Sequence, residues 1–222
     1  MPGSATYGLA AAIRQAWRAL IAGLVLLAAL GAPLRAAEPL KVVALGDSLT
    51  AGLGLPASDA FPAKLQAALA ARGLAAVIDN AGVSGDTAAS GLARLDWSVP
   101  DGTKAVLVEL GANDMLRGID PAATRAALDA IVTRLQARGI AVMLLGMRAA
   151  PNLGPDYQKA FDAIFPDLAA RHGVALYPFF LDGVAGERAL NQADGMHPTA
   201  AGVDVIVARS APAVATFLQG VK

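Results

Sequence analysis

Five short apolar runs rich in β-branched residues recur along the chain, at 41–45, 75–80, 104–110, 140–146 and 174–178. Near-continuous apolar runs, as opposed to alternating ones, suit strands buried on both faces of a parallel sheet. Helical patterns fill the gaps. Segment 59–73 places Phe61, Leu65 and Leu69 on one stripe and ends at Gly73, which suits the position just past a helix. Segment 120–139 opens with Asp120 as N-cap and Pro121 at the first helical position, then closes at Gly139. Segment 155–173 reads as helical, with Pro166 kinking or interrupting it, and a last helix spans 198–218. This alternation predicts one doubly wound α/β domain. No repeat, charge block or low-complexity linker divides it.

The N-terminus is read apart from that domain. Arg14 and Arg18 precede a short apolar stretch at 19–31, and small residues with a proline follow at 32–37. This is the order of a secretory signal peptide, here 1–36, with cleavage near Ala36 or Ala37. The stretch falls short of the about 20 apolar residues that span a bilayer. The expectation is an exported chain, periplasmic or secreted, with a mature domain at 37–222, no membrane span after cleavage and a monomeric state. Losing three arginines and no acid leaves 15 basic against 18 acidic residues, a formal charge of −3. No basic stripe gathers on a face, so no nucleic-acid partner is expected. The absence of cysteine excludes disulfides, thiol catalysis and cysteine-based metal sites.

In sheets of this kind ligands bind beyond the carboxyl ends of the strands. There the sequence places Gly46-Asp47-Ser48-Leu49 after the first strand and Asn80 to Asp86 after the second. Gly111-Ala112-Asn113-Asp114 follow the third, and Asp194-Gly195-Met196-His197 precede the last helix. Ser48 is a poor nucleophile unless a base takes its proton. His197 can be that base, with Asp194 three residues earlier folding back onto Nδ1 to fix the tautomer. The other histidine, His172, lies before a helix-ending glycine and reads as a solvated helix-terminal residue. Acyl transfer also needs donors for a developing oxyanion. Gly82 N–H, the Asn113 amide and Ser48 N–H are the candidates, although Gly82 also reads as a turn glycine and Asn113 as a capping residue. Asp47, Asp86 and Asp114 read as acids that hold loop N–H groups. Glu109, inside a buried strand, needs a partner that the sequence does not supply.

Taken together, "GDSL" at 46–49, Gly82 in "NAGVSGDT", "GAND" at 111–114 and "DGMH" at 194–197 resemble the SGNH (GDSL) hydrolase family. Within it, "SGDTAASGLARLDW", "VLVELGANDMLRG" and "DGMHP" are most similar to the periplasmic acyl-CoA thioesterase I, lysophospholipase and arylesterase group. The resemblance implies a three-layer α/β/α flavodoxin-like fold with five parallel strands, no metal and no cofactor. It implies Ser48, Asp194 and His197 as catalytic residues, and Ser48, Gly82 and Asn113 as the oxyanion hole. The substrate groove would be walled by Met115, Leu116, Arg117, Gly118 and Ile119, and by a second loop at 148–155 that contains Pro151. The implied substrate is a small ester or acyl thioester, with a carbohydrate acetylesterase as the alternative.

Other readings are weaker. Gly46, Gly52 and Gly54 lack G-x-G-x-x-G spacing, and no phosphate-binding G-x-x-x-x-G-K-[ST] occurs. An α/β-hydrolase would carry its serine in G-x-S-x-G, which is absent. A non-catalytic lipid-binding module would have lost the serine, the histidine or the asparagine.

Overall fold

The computed structural model describes residues 15–18 and 38–221. Residues 15–18 are helical, exposed and part of a separate N-terminal unit; the remainder of the signal-peptide reading lies outside the described residues. The sheet and its helices belong to the second unit, which begins at Glu38.

Its strands are β1 (Leu40–Gly46), β2 (Ala76–Gly82), β3 (Ala105–Glu109), β4 (Ala141–Leu145) and β5 (Ala175–Tyr177). They pair in parallel in the order β2-β1-β3-β4-β5. The helices are α1 (Ser48–Ala51), α2 (Phe61–Ala70), α3 (Ala88–Ala93), α4 (Leu95–Ser98), α5 (Ala112–Leu116), α6 (Pro121–Ala137), α7 (Pro155–Asp162), α8 (Ile164–His172) and α9 (Ala200–Gln219). Helices α2 and α9 pack together on one side of the sheet, while α3, α6, α7 and α8 pack together on the other. The three-layer α/β/α architecture with five parallel strands is therefore present.

The apolar runs at 41–45, 104–110 and 140–146 became the central strands β1, β3 and β4, whose residues are almost all buried. β2 differs. It is an edge strand, and Ala76 and Ile78 point inward while Val77 and Asp79 face solvent. It also runs two residues beyond the sequence expectation, so Gly82 ends the strand, opposite Gly46 of β1. The proline in 155–173 divides the segment into α7 and α8 at Ala163. Pro166 has no N–H for the Asp162 carbonyl and its ring crowds it, so the break falls one turn ahead of the proline.

Helix α9 is apolar and long enough to cross a membrane, but half of it is buried. Val203, Ile206, Val214 and Leu218 carry its inner face. On the same side Phe61 of α2 meets Phe180 edge-on at 4.8 Å, a contact worth about 0.5–1.5 kcal/mol beyond its buried area.

Topology places the site. The chain moves outward from β1 to β2, then crosses back to β3, so strand order reverses between β1 and β3. Their carboxyl ends lie side by side, with Gly46 paired to Glu109. Ser48 and Asn113 follow those two ends, at the switch point where ligands of open α/β sheets bind.

Candidate active site

β1 must turn sharply to present Ser48. A Cβ on Gly46 would collide with the Thr50 hydroxyl and stand 2.7 Å from the Glu109 carbonyl, so only glycine passes here. Asp47 then caps α1, its Oδ1 accepting Leu49 N–H at 2.9 Å. Gly52 closes this single turn in the left-handed region, at φ 79°. Ser48 is the first residue of α1 and is 8% exposed. As a first-turn amide its N–H has no intrahelical partner.

His197 arrives from the opposite end of the chain on a tightly built turn. Asp194 Oδ1 accepts the N–H groups of Met196 (2.9 Å) and His197 (3.0 Å), and Oδ2 meets His197 Nδ1 at 2.7 Å. These contacts, with the two backbone amides foremost, hold the Asp194 carboxyl well below the usual carboxylate range. An ionised Asp194 makes Nδ1 the donor and leaves Nε2 as an acceptor. His197 Nε2 lies 2.9 Å from Ser48 Oγ. Gln192 braces the arrangement, its Nε2 donating to the carbonyls of Leu53 (2.8 Å) and Pro198 (3.0 Å). The two chain segments that carry serine and histidine are thereby tied together.

Asn113 lies in α5, just past Gly111 at φ 114°. Its Nδ2 donates to Asp47 Oδ2 and to the Asp86 carbonyl, both at 3.0 Å. Asn113 thus sits beside the serine turn, with its amide hydrogens already engaged.

Gly82 does not take the place expected of it. Its N–H donates to Asn80 Oδ1 at 2.9 Å. A Cβ there would overlap the backbone of Ala51 and the Asp47 carbonyl. Gly82 is glycine because β2 passes against the serine turn, and the reading of its N–H as an oxyanion donor is corrected. Three residues on, Gly85 occupies a left-handed turn at φ 87° with only Arg117 Nη2 near its Cβ position, at 3.6 Å. Among the described residues its N–H finds no hydrogen-bond acceptor. "NAGVSGDT" holds two glycines, and nothing apolar in it marks how far β2 runs. Next to the second glycine stands Asp86. It pairs with buried Arg94, which also donates to Ser98 Oγ and to the Gly46 carbonyl, both at 2.9 Å. This arginine pins the 83–87 loop to the end of β1.

Asp114 performs the structural role read from the sequence, accepting Ala88 N–H at 2.8 Å and Thr124 Oγ1–H at 3.1 Å. His172 contacts Asp129 Oδ1 through Nε2 at 2.6 Å and Gln136 through Nδ1 at 3.2 Å, bracing α8 against α6 away from the serine.

A cavity of about 500 Å³ opens beside Ser48 and His197. Met115, Leu116 and Pro151 line it. Arg117, Gly118 and Ile119 do not, and this part of the groove reading is corrected. Helix α5 ends at Leu116, and the chain turns away at Gly118, φ 63°. Arg117 Nη2 instead donates to the Gly85 carbonyl at 2.7 Å, and the Ile119 carbonyl accepts Tyr157 Oη–H at 2.8 Å. Other walls are Leu49, Met196, the stretch from Met147 to Ala150, and Phe179 and Leu181 after β5. Arg148 is stacked 5.2 Å over the Phe179 ring. The segment after β5 obeys the same strand-end rule as the other three.

The GDSL-like lipase/acylhydrolase family matches residues 44–205. The chain is 45% identical over 167 residues to esterase TesA of Pseudomonas aeruginosa, covering 75% of this chain and 82% of the relative. It is 40% identical over 165 residues to thioesterase 1/protease 1/lysophospholipase L1 of Escherichia coli K12, covering 74% and 78%. Among solved structures, the SGNH-hydrolase family esterase AlinE4 superposes with a TM-score of 0.70 at 48% identity, covering 82% of this chain and 98% of that one. With the serine turn, the histidine turn and the strand order all in place, the chain belongs to the GDSL-like lipase/acylhydrolase family.

Proposed function

We propose that this chain is a serine esterase that cleaves carboxylic esters or acyl thioesters through an acyl-enzyme on Ser48. One observation carries the reading: the continuous contact from Asp194 through both nitrogens of His197 to Ser48 Oγ, at the mouth of a largely apolar cavity. The names of its relatives support the same class of substrate.

Chemistry follows from this geometry. His197 Nε2 takes the Ser48 proton as Oγ attacks the carbonyl, and Asp194 stabilises the imidazolium through Nδ1. Charge then collects on the carbonyl oxygen. Ser48 N–H and Gly85 N–H are free to receive it, and Asn113 joins when one amide hydrogen leaves the Asp86 carbonyl while the other stays on Asp47. Such contacts commonly tighten only in the transition state. The oxyanion collapses, the leaving alcohol or thiol departs with the proton held by His197, and water repeats the sequence to free the acid. Apolar walls at Leu49, Met115, Leu116, Met147 and Phe179 suit an acyl chain better than the polar ring of an acetylated sugar.

Export to the periplasm and a monomeric state belong to the same proposal, the first resting on the signal-like N-terminus. Hydrolysis of p-nitrophenyl esters of increasing chain length, beside an acyl-CoA, tests the substrate reading. Longer-than-acetyl acyl groups should give the higher kcat/KM, and a strict preference for acetyl groups would overturn it.

A further inference from the structure

Glu109 ends β3, is 1% exposed, and takes no part in the steps above. Its Oε2 accepts Thr50 Oγ1–H at 2.8 Å, while Oε1 is buried without a donor. What faces it is Asp47, which presents both its main-chain N–H and its carboxyl group, the latter fully buried. Two facing carboxyl groups out of water are not both ionised, because burial and mutual repulsion outweigh the few donors each one has. Arg94, the buried arginine at this end of β1, does not neutralise them. Its guanidinium is taken by Asp86, Ser98 and the Gly46 carbonyl. The other ionisable groups nearby are His197, which acts on Asp47 across the site, and Asp114, which is held by Ala88 and Thr124. Burial first, then the Asp47 charge, hold the Glu109 carboxyl well above the ordinary glutamate range.

The far side of Asp47 reaches the chemistry. Oδ1 holds Leu49 N–H in the serine turn and Oδ2 holds the Asn113 amide. A proton on Glu109 Oε1, given to Asp47, satisfies the one orphaned oxygen and completes three donors on one carboxylate. It also removes the repulsion that would turn Asp47 out of line.

We propose that Glu109 is a positioning residue of the acyl-transfer site: it remains protonated, donates Oε1–H to Asp47, and so fixes the carboxylate that aims Asn113 and shapes the turn around Ser48. The proposal rests on the serine-esterase reading for its effect on rate, but the location of the proton is independent of it.

Two variants and one spectrum test this. In Glu109→Gln the amide still donates to Asp47, so kcat should stay within about threefold of the parent, with the same pH profile. In Glu109→Leu no donor remains and Asn113 is no longer aimed, so kcat should fall about 10- to 100-fold at nearly unchanged KM, the scale of a small catalytic misplacement. Because the Glu109 hydrogen bond favours ionised Asp47, losing it should also move the acid limb of kcat to higher pH in the leucine variant alone. A purely structural glutamate would lower the melting temperature while leaving the pH profile of the surviving activity unmoved. That result, or equal losses in both variants, overturns the proposal. If the leucine variant does not fold, the infrared difference between parent and Glu109→Gln at pH 8 decides. A protonated carboxylic-acid band present in the parent and absent in the variant supports the assignment; carboxylate bands alone overturn it. The spectrum needs no turnover, so a failed esterase reading would not obscure it.

Discussion

Asp194 grips His197 at two points, its Oδ1 accepting the histidine's main-chain N–H at 3.0 Å while Oδ2 meets Nδ1 at 2.7 Å. One carboxylate therefore sets both the backbone turn and the ring orientation. Asp194→Asn should keep the turn through Oδ1 but face Nδ1 with an amide, which favours the wrong tautomer. The expected loss is on the order of 10⁴-fold in kcat with KM little changed, beside a lowered melting temperature from the weakened hydrogen bonds to the carboxylate. Steady-state kinetics beside a melting curve check this.

The contrasting glycines make a second test. Gly82→Ala forces a methyl group into the Ala51 backbone, which cannot yield as a flexible side chain would. A loss of about 2 kcal/mol or more in a urea titration is expected, the range of overpacked sites. Gly85→Ala meets only Arg117 Nη2, at an ordinary 3.6 Å, and its φ of 87° costs about 1–2 kcal/mol. There kcat should fall further than stability explains, because the amide at 85 shifts. The reverse pattern would restore Gly82 as the oxyanion donor.

Asp47 gives stability a pH dependence of unusual sign. Burial raises its pKa from 3.8 to about 6, against the opposing hydrogen bonds from Leu49 and Asn113. Between those values the folded chain holds a proton that the unfolded chain has released, so this group lowers stability as pH rises from about 4 to 6, by roughly 3 kcal/mol in all. Asp194 works the other way, its depressed folded pKa giving stability that is present above pH 3.8 and lost as pH falls further. Asp47→Asn removes the first slope. Its stability relative to the parent should rise across pH 4 to 6 and then level off, whereas a constant difference would contradict the burial argument.

The cavity walls supply a fourth prediction. Ala150→Phe places a ring in the cavity and should shorten the preferred acyl chain by several carbons. Arg117→Ala, outside the cavity, should leave the chain-length profile alone. It should reduce kcat by about tenfold, the low end of the scale of one lost charged hydrogen bond, here the exposed one that holds the Gly85 carbonyl. Profiles with p-nitrophenyl esters separate the two effects.

How far the sequence carries is visible in these residues. Val42 to Leu45 and Val106 to Val108 announce buried parallel strands because central strands are covered on both faces. Asp194 and His197 are legible because three residues suffice for a carboxylate to reach both a main-chain amide and a ring. Gly82 and Gly85 were not separable, since β2 continues through Asn80 and Ala81 by its register with β1, and no local apolarity marks that extension. The role of Arg117 depends on where α5 stops, and that of Phe179 on the path of the chain beyond an edge strand. Glu109 found its partner only when β1 and β3 were placed side by side.

The central claim is that Ser48 becomes the acyl-enzyme. Treatment with a p-nitrophenyl alkylphosphonate, followed by peptide mass spectrometry, tests it most directly. The expected result is one adduct per chain, on the peptide containing Ser48, appearing in step with loss of esterase activity and absent from Ser48→Ala. Inactivation with the adduct on another residue, or near-parent activity in Ser48→Ala, would contradict it.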